Sequence, residues 1–139
     1  MAINYGKLSI LLIDDESYTR QLIKQMLFQV GVKSISEAEN GKDGLLELLR
    51  TRPDIVFCDI HMTPIDGLEV LRQLRSVKIP SIALTPVIML TADAGTKAVA
   101  FAKEQCANGY LVKPVALSQL KSRIDAVVAA NPKLGEKCS

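Results

Sequence analysis

The apolar run Ile55-Val56-Phe57-Cys58 stops abruptly at a carboxylate, Asp59. Arg52-Pro53-Asp54 precedes it, and a loop rich in Pro, Asp and Gly, from Ile60 to Gly67, follows. A short, wholly apolar run bounded by turn residues reads as a strand buried on both faces. Such a strand needs helices above and below it, which restricts the chain to strands alternating with helices around a parallel sheet. Asp59 then sits where strand gives way to loop. In parallel sheets the carboxyl ends of the strands are where ligands bind.

The rest of the chain keeps to this alternation. Leu8 to Ile13 is a first strand, closed by Asp14-Asp15-Glu16. Leu22, Ile23, Met26, Leu27 and Val30 recur at the spacing of one helical face, and Gly31 stops that helix. Ser34 to Ala38 alternates in polarity like a half-buried edge strand. Asn40-Gly41 turns into a second helix with Leu45, Leu46, Leu48 and Leu49 as its expected core stripe. Leu68, Val70, Leu71 and Leu74 mark a third helix, with Arg72, Arg75 and Lys78 expected on its exposed side. A connector of mixed character, Pro80 to Pro86, leads to the apolar strand Val87 to Leu90, which exits into Thr91-Ala92-Asp93. A fourth helix is expected over about Thr96 to Gln105. Asn108-Gly109 then turns into the strand Tyr110-Leu111-Val112, which exits into Lys113-Pro114. The fifth helix carries Leu117, Leu120, Ile124, Val127 and Val128 on one face, and the tail after Ala130 is expected to fray. Five strand–helix units with short right-handed connections predict an α/β fold, a doubly wound three-layer sandwich.

Composition narrows the function classes. At 139 residues the chain is expected to form one domain, with its core over about 8–130 and a tail over 131–139. A net charge of +2, spread along the chain, argues for no nucleic-acid partner, and no apolar stretch approaches a membrane span. The first residues lack the order of a signal peptide, so a cytoplasmic protein is expected. Three cysteines at no metal-ligand spacing make neither a disulfide framework nor a zinc site. Cys58 should point to the sheet face opposite Asp59 and serve packing, and Cys106 is expected within the fourth helix.

In a parallel sheet every strand exit lies on one edge, which collects Asp14, Asp15, Asp59, Thr91 and Lys113 into one crevice. The sheet order 2-1-3-4-5 would set the first and third strands side by side and bring Asp14, Asp15 and Asp59 together. Three close carboxylates repel unless a cation or protons neutralise them, and an all-oxygen set suits a hard divalent ion, Mg2+ above all. Read alone, Asp14-Asp15-Glu16 fits a helix N-terminus equally well. With Asp59 and Lys113 at neighbouring exits, the metal reading is preferred. A lysine, a hydroxyl and a cation around one carboxylate form a cradle for a phosphoryl group, with Asp59 as the nucleophile.

These residues resemble a known family. Asp14-Asp15-Glu16, Asp59-Ile60-His61-Met62, Asp66-Gly67, Pro86 to Ala92, and Tyr110-Leu111-Val112-Lys113-Pro114 look like the receiver domain of two-component response regulators, over about residues 8–130. The resemblance implies a flavodoxin-like fold. It implies Asp59 as the phosphoacceptor, served by a phosphohistidine on a histidine kinase or phosphotransfer protein. Asp15 and Asp59 match side-chain ligands of Mg2+, Asp14 the acid that holds the ion through water, and His61 a ligand through its backbone carbonyl. Thr91, Ala92 and Lys113 match the phosphate-binding positions. Thr91 and Tyr110 match the switch pair, and Lys113-Pro114 a bond usually found cis. The output face would then be the fourth helix, fifth strand and fifth helix, bound to a protein target as in stand-alone, chemotaxis-type regulators. Enzymatic activity beyond self-phosphorylation and slow self-dephosphorylation is not expected.

Some positions depart from the family pattern. Thr63-Pro64-Ile65 displaces a familiar proline by one residue, which bears on the loop after Asp59 and on no ligand. His61 is the only histidine; a solvent-facing imidazole is preferred over one that contacts the attacking water or the partner. Asp93 would border the pocket and affect hydrolysis. Two other readings stand beside the receiver. A Mg2+-dependent aspartyl phosphatase would need an acid two positions after the nucleophile, where His61 stands. A flavin-binding or structural domain of similar fold would leave the acids and Lys113 without a role, and a receiver fold could also bind partners without phosphorylation.

Overall fold

The computed structural model describes residues 3–92, 95 and 97–131. Five parallel strands form one sheet in the order β2-β1-β3-β4-β5: β1 (Ser9–Ile13), β2 (Ser34–Ala38), β3 (Ile55–Asp59), β4 (Val87–Thr91) and β5 (Gly109–Val112). Six helices connect them: α1 (Ser17–Val30), α2 (Gly41–Thr51), α3 (Gly67–Arg75), the single turn α4 (Pro80–Ala83), α5 (Lys97–Glu104) and α6 (Leu117–Ala130). The expected doubly wound sandwich is therefore present. The connector Pro80 to Pro86 contains the additional turn α4, which starts with Pro80 at its first position, where a missing N–H matters least. The expected fourth and fifth helices are thus α5 and α6. Thr96, Asp93 and the tail 132–139 lie outside the described residues.

Strand alternation divides the core in two. Ile10, Leu12, Phe57, Ile88, Leu90 and Leu111 pack with Ile23 and Leu27 of α1 and Leu120 and Ile124 of α6. Leu11, Ile13, Val56, Cys58 and Met89 face the other way, onto Leu48 of α2, Val70, Leu71 and Leu74 of α3, and Ala102 of α5. β3 is buried along its whole length, as its composition requires.

Four helical expectations are corrected. In α2 the buried residues are Gly41, Gly44 and Leu48, while Leu46 and Leu49 are 58% and 47% exposed. Gly44 takes the sheet-facing position because the helix lies close there, where a Cβ would come within 2.6 Å of the Ile13 side chain, and Gly41 lets the helix start against Ile65 and Val70, which a Cβ would meet at 2.6 Å and 2.7 Å. That approach rotates the leucine pair outward. Leu22 on α1 and Leu117 at the start of α6 are likewise exposed, since each lies on the rim of its stripe rather than at the centre. Arg75 is half-buried, not on the exposed side of α3, and its guanidinium binds backbone carbonyls of two neighbouring loops. Cys106 follows α5 in a turn with positive φ rather than lying within the helix.

Candidate functional site

Parallel pairing sets every strand exit on one edge, and register decides which residues meet there. β1 runs beside β3, with Ile13 opposite Cys58, so Asp14 and Asp59 stand next to one another at the ends of adjacent strands. Thr91 ends β4 opposite Val112, and the Lys113 N–H donates to the Thr91 carbonyl at 2.7 Å. One oxygen from each of Asp14, Asp15 and Asp59 lies within 4.8 Å of the others. Asp14 and Asp59 are 1% and 3% exposed, whereas Asp15 faces solvent.

One ammonium answers this concentration of charge. Lys113 Nζ lies 3.1 Å from Asp14 Oδ2, 3.3 Å from Asp59 Oδ1 and 3.6 Å from Glu16 Oε1. Burial works against its charge, but the hydrogen bond to Asp14 and the charge of Asp59 outweigh that, so its pKa is raised. The Asp59 carboxyl is also held above its ordinary value. Burial is the main cause and the Asp14 charge adds to it, while Lys113 and the His61 N–H, 3.4 Å from Oδ1, pull the other way. Asp14, Asp59 and Glu16 share this one lysine, so negative charge stays in excess around it. An exposed acid beside two buried ones, all within reach of one point, fits a small oxygen-seeking divalent cation.

The loop after Asp59 is fixed by one close approach. Gly67 N–H donates to the Ile60 carbonyl at 2.8 Å, and a Cβ on Gly67 would meet the Asp59 carbonyl oxygen at 2.1 Å. Only glycine lets α3 begin against the end of β3. Asp66 caps the helix by accepting the Glu69 N–H at 2.8 Å. Within this loop the Thr63–Pro64 bond is cis, and Lys113–Pro114 is cis as the family resemblance implies.

The structure brings together Asp14, Asp15, Asp59 and Lys113, with Thr91 on the adjoining strand end and Ala92 directly after it. The His61 side chain is exposed and turned to solvent. Tyr110 stands apart from the acids. It is paired with Met89 on β4 and lines a cleft of about 280 Å³ between β5, α5 and α6, with Val99, Ala102, Lys103 and Arg123. Cys58 is fully buried on the opposite sheet face, and burial pushes its thiol pKa far up, with Asp59 and Asp14 adding to the effect, so it stays a thiol.

One participant escaped the sequence reading. Arg20 is 9% exposed and donates through Nη1 to the Asp14 carbonyl at 2.6 Å. Its signal was present: Arg20, Ile23 and Leu27 share the buried face of α1, so a charge stands on an apolar stripe.

This arrangement has close parallels. The sequence profile of the response regulator receiver domain matches residues 10–125. Chemotaxis protein CheY-3 of Vibrio cholerae is 31% identical over 126 residues, which cover 91% of this chain and 95% of that protein. Chemotaxis protein CheY of Pseudomonas aeruginosa is 32% identical over 120 residues, 86% of this chain and 95% of the relative. Among solved structures, the chemotaxis response regulator CheY4 of Vibrio cholerae superposes with a TM-score of 0.77 at 26% identity, covering 86% of this chain and 98% of that one. A match that opens in β1 and closes in α6 takes in the whole sheet, and on that ground the chain belongs to the response regulator receiver domains of two-component signalling.

Proposed function

We propose that the protein is a receiver whose Asp59 accepts a phosphoryl group from a phosphohistidine and that it signals by binding a partner protein according to its phosphorylation state. The observation that supports this most is Asp59 itself: a nearly buried carboxylate at a strand exit, 3.3 Å from a lysine ammonium and crowded by two further acids. In the transfer, an Asp59 oxygen forms the new O–P bond as the P–N bond to the donor imidazole breaks, and the imidazole leaves with the electron pair and takes up a proton. Lys113 offers a charge to the phosphoryl oxygens, and the Thr91 hydroxyl and the backbone at Ala92 lie at the adjoining strand exit to bind them. Asp14, Asp15, Asp59 and the His61 carbonyl are the residues that would hold Mg2+, which when bound neutralises charge on the transferred group.

The donor in this reading is a histidine kinase or a histidine phosphotransfer protein. Phosphorylation adds roughly −1.5 to −2 charge, and Thr91 and Tyr110, on neighbouring strands, are the pair that would report it. The output face is then α5, β5 and α6, where Tyr110 lines its cleft. An aspartyl phosphatase is disfavoured because the position two residues past Asp59 is His61, whose exposed side chain offers no carboxylate.

Incubation with acetyl phosphate, with and without Mg2+, followed by intact mass tests the proposal. A gain of one phosphoryl group is expected only with Mg2+, and none is expected in Asp59→Asn. Persistent labelling of that variant would move the acceptor to another residue and defeat the assignment.

A further inference from the structure

Asp14 is where β1 leaves the sheet, and four contacts hold it. Its N–H donates to the Ala38 carbonyl at 3.2 Å, and its carboxylate accepts the Glu16 N–H at 2.9 Å and Lys113 Nζ at 3.1 Å. The fourth contact comes from outside both the ladder and the acid cluster. The pairing of β1 with β2 ends at Ile13 and Ala38, so the Asp14 carbonyl lies past the last rung. Arg20 Nη1, from α1, supplies its donor at 2.6 Å.

Arg20 is itself held from behind. Its Nε donates to Glu37 Oε1 at 3.3 Å, Lys24 Nζ takes the other Glu37 oxygen at 3.1 Å, and Glu39 stands 3.9 Å from Nη2. The guanidinium therefore bridges the exits of β1 and β2 from a position on the buried stripe of α1. Placing a cation there carries a desolvation penalty that an apolar side chain would avoid. The backbone it grips gives a reason for it. The Asp14–Asp15 peptide carries two of the three clustered carboxylates, and ligands must be held within about 0.5 Å of their working geometry. Asp14 is tied by its side chain as well, but Asp15 is exposed and depends on the backbone turn for its direction.

We propose that Arg20 is the positioning residue of the acidic cluster: anchored by Glu37, it grips the Asp14 carbonyl and fixes the Asp14–Asp15 turn in the form that binds a divalent cation. The inference rests on the reading of Asp14, Asp15 and Asp59 as a cation site. Groups that orient ligands from behind commonly change metal affinity by about 10–100-fold when removed. Arg20 is expected to fall in that range without touching the ion.

The test is calorimetric titration of the full chain with Mg2+ alone, paired with amide exchange on the metal-free protein. Arg20→Met is expected to weaken Mg2+ binding about tenfold or more and to speed exchange at the Glu16 amide, whose acceptor is Asp14 Oδ1. Arg20→Lys, able to reach the carbonyl or Glu37 but not both, is expected to fall between that variant and the parent. Glu37→Gln, at a half-exposed site, should give a smaller loss that disappears in an Arg20→Met background. Should Arg20→Met fail to fold, Arg20→Lys and Glu37→Gln carry the comparison. Unchanged Mg2+ affinity in those variants, even with a lowered melting point, would make Arg20 a packing residue and overturn the proposal. A parent chain that binds no Mg2+ would instead remove the cation site, and the role of Arg20 with it.

Discussion

Arg75 offers the sharpest test of how this fold is held. Its guanidinium donates to the carbonyls of Gln105 (3.2 Å), Ala83 (2.8 Å), Thr85 (2.8 Å) and Cys106 (2.8 Å) and to Asn108 Oδ1 (3.1 Å). These groups belong to the loops that lead into β4 and β5, so one side chain at the end of α3 ties down the amino ends of two strands. Burial pulls its pKa below the usual arginine value, which is the cost of holding the charge there. Arg75→Met keeps much of the stem and removes all five donations. The bonds to Cys106 and Asn108 lie at the solvent side, where water takes over as donor. The other three are partly buried, and at about 1 kcal/mol for each acceptor left unmet the loss is about 3 kcal/mol. With an unfolding entropy of about 2.1 cal/mol/K per residue, 139 residues give about 0.3 kcal/mol/K, so the melting point should fall by roughly 10 °C. Thermal and urea unfolding would measure this directly. Because the loops lie on the sheet edge opposite Asp59, phosphoryl acceptance well below the transition should match the parent. A fall of only a degree or two would mean that water satisfies these carbonyls as well as Arg75 does, and the reasoning would be wrong.

Two other predictions follow from the acid site. Gly67→Ala would drive a Cβ to 2.1 Å from the Asp59 carbonyl, against backbone atoms that have no room to yield. A loss of about 3 kcal/mol or more is expected, with slower phosphorylation at temperatures where the variant stays folded; a parent-like melt would show that α3 can start elsewhere. Asp59→Asn concerns pH. Burial chiefly, and then Asp14, raise the Asp59 pKa in the folded chain. A group of this kind contributes stability that is fully present below its unfolded pKa and lost as pH rises through the folded value. Ionised Asp59 therefore weighs against the fold at neutral pH. The asparagine variant should melt higher than the metal-free parent at about pH 7, with the margin closing towards about pH 4. A parent as stable as the variant at neutral pH would show that Lys113 fully compensates the buried charge.

Much of this architecture could be read from the chain because its parts obey local rules. β3 and β4 are apolar runs with sharp polar ends, and burial on both faces leaves them no other role. Gly31, Asn40 and Asp66 act as helix punctuation that depends on their own backbone and side chains: Gly31 has φ +118°, and the other two cap α2 and α3. The gathering of Asp14, Asp15, Asp59 and Lys113 follows from strand polarity and order alone. What resisted reading depends on distance between elements. Leu46 and Leu49 fit an apolar stripe as well as Leu45 and Leu48 do, and only the closeness of α2 to Ile13 turns Gly44 inward in their place. Arg75 has the spacing of an exposed helical residue, and its carbonyl partners come from loops eight to thirty-one positions away.

The two edges of the sheet differ in how far buried carboxylates crowd one another, and this separates support from chemistry. On the amino edge, charged side chains are consumed by backbone. Arg75 serves the loops before β4 and β5, and Asp54 accepts the Ser9 N–H at 2.9 Å while its own N–H donates to the Ser9 carbonyl at 2.7 Å. Each such charge meets polar groups that burial would otherwise leave unmet, which offsets part of its own desolvation. On the carboxyl edge, Asp14 and Asp59 face one another across a shared lysine, with Asp15 and Glu16 close by. There burial, with the Asp14 charge, raises the Asp59 pKa, and neither Lys113 nor the His61 N–H at 3.4 Å from Oδ1 offsets it. Stability alone would favour asparagine at position 59. A carboxylate is kept there against that preference, and the electrostatic imbalance it creates is what a cation and a phosphoryl group together can relieve.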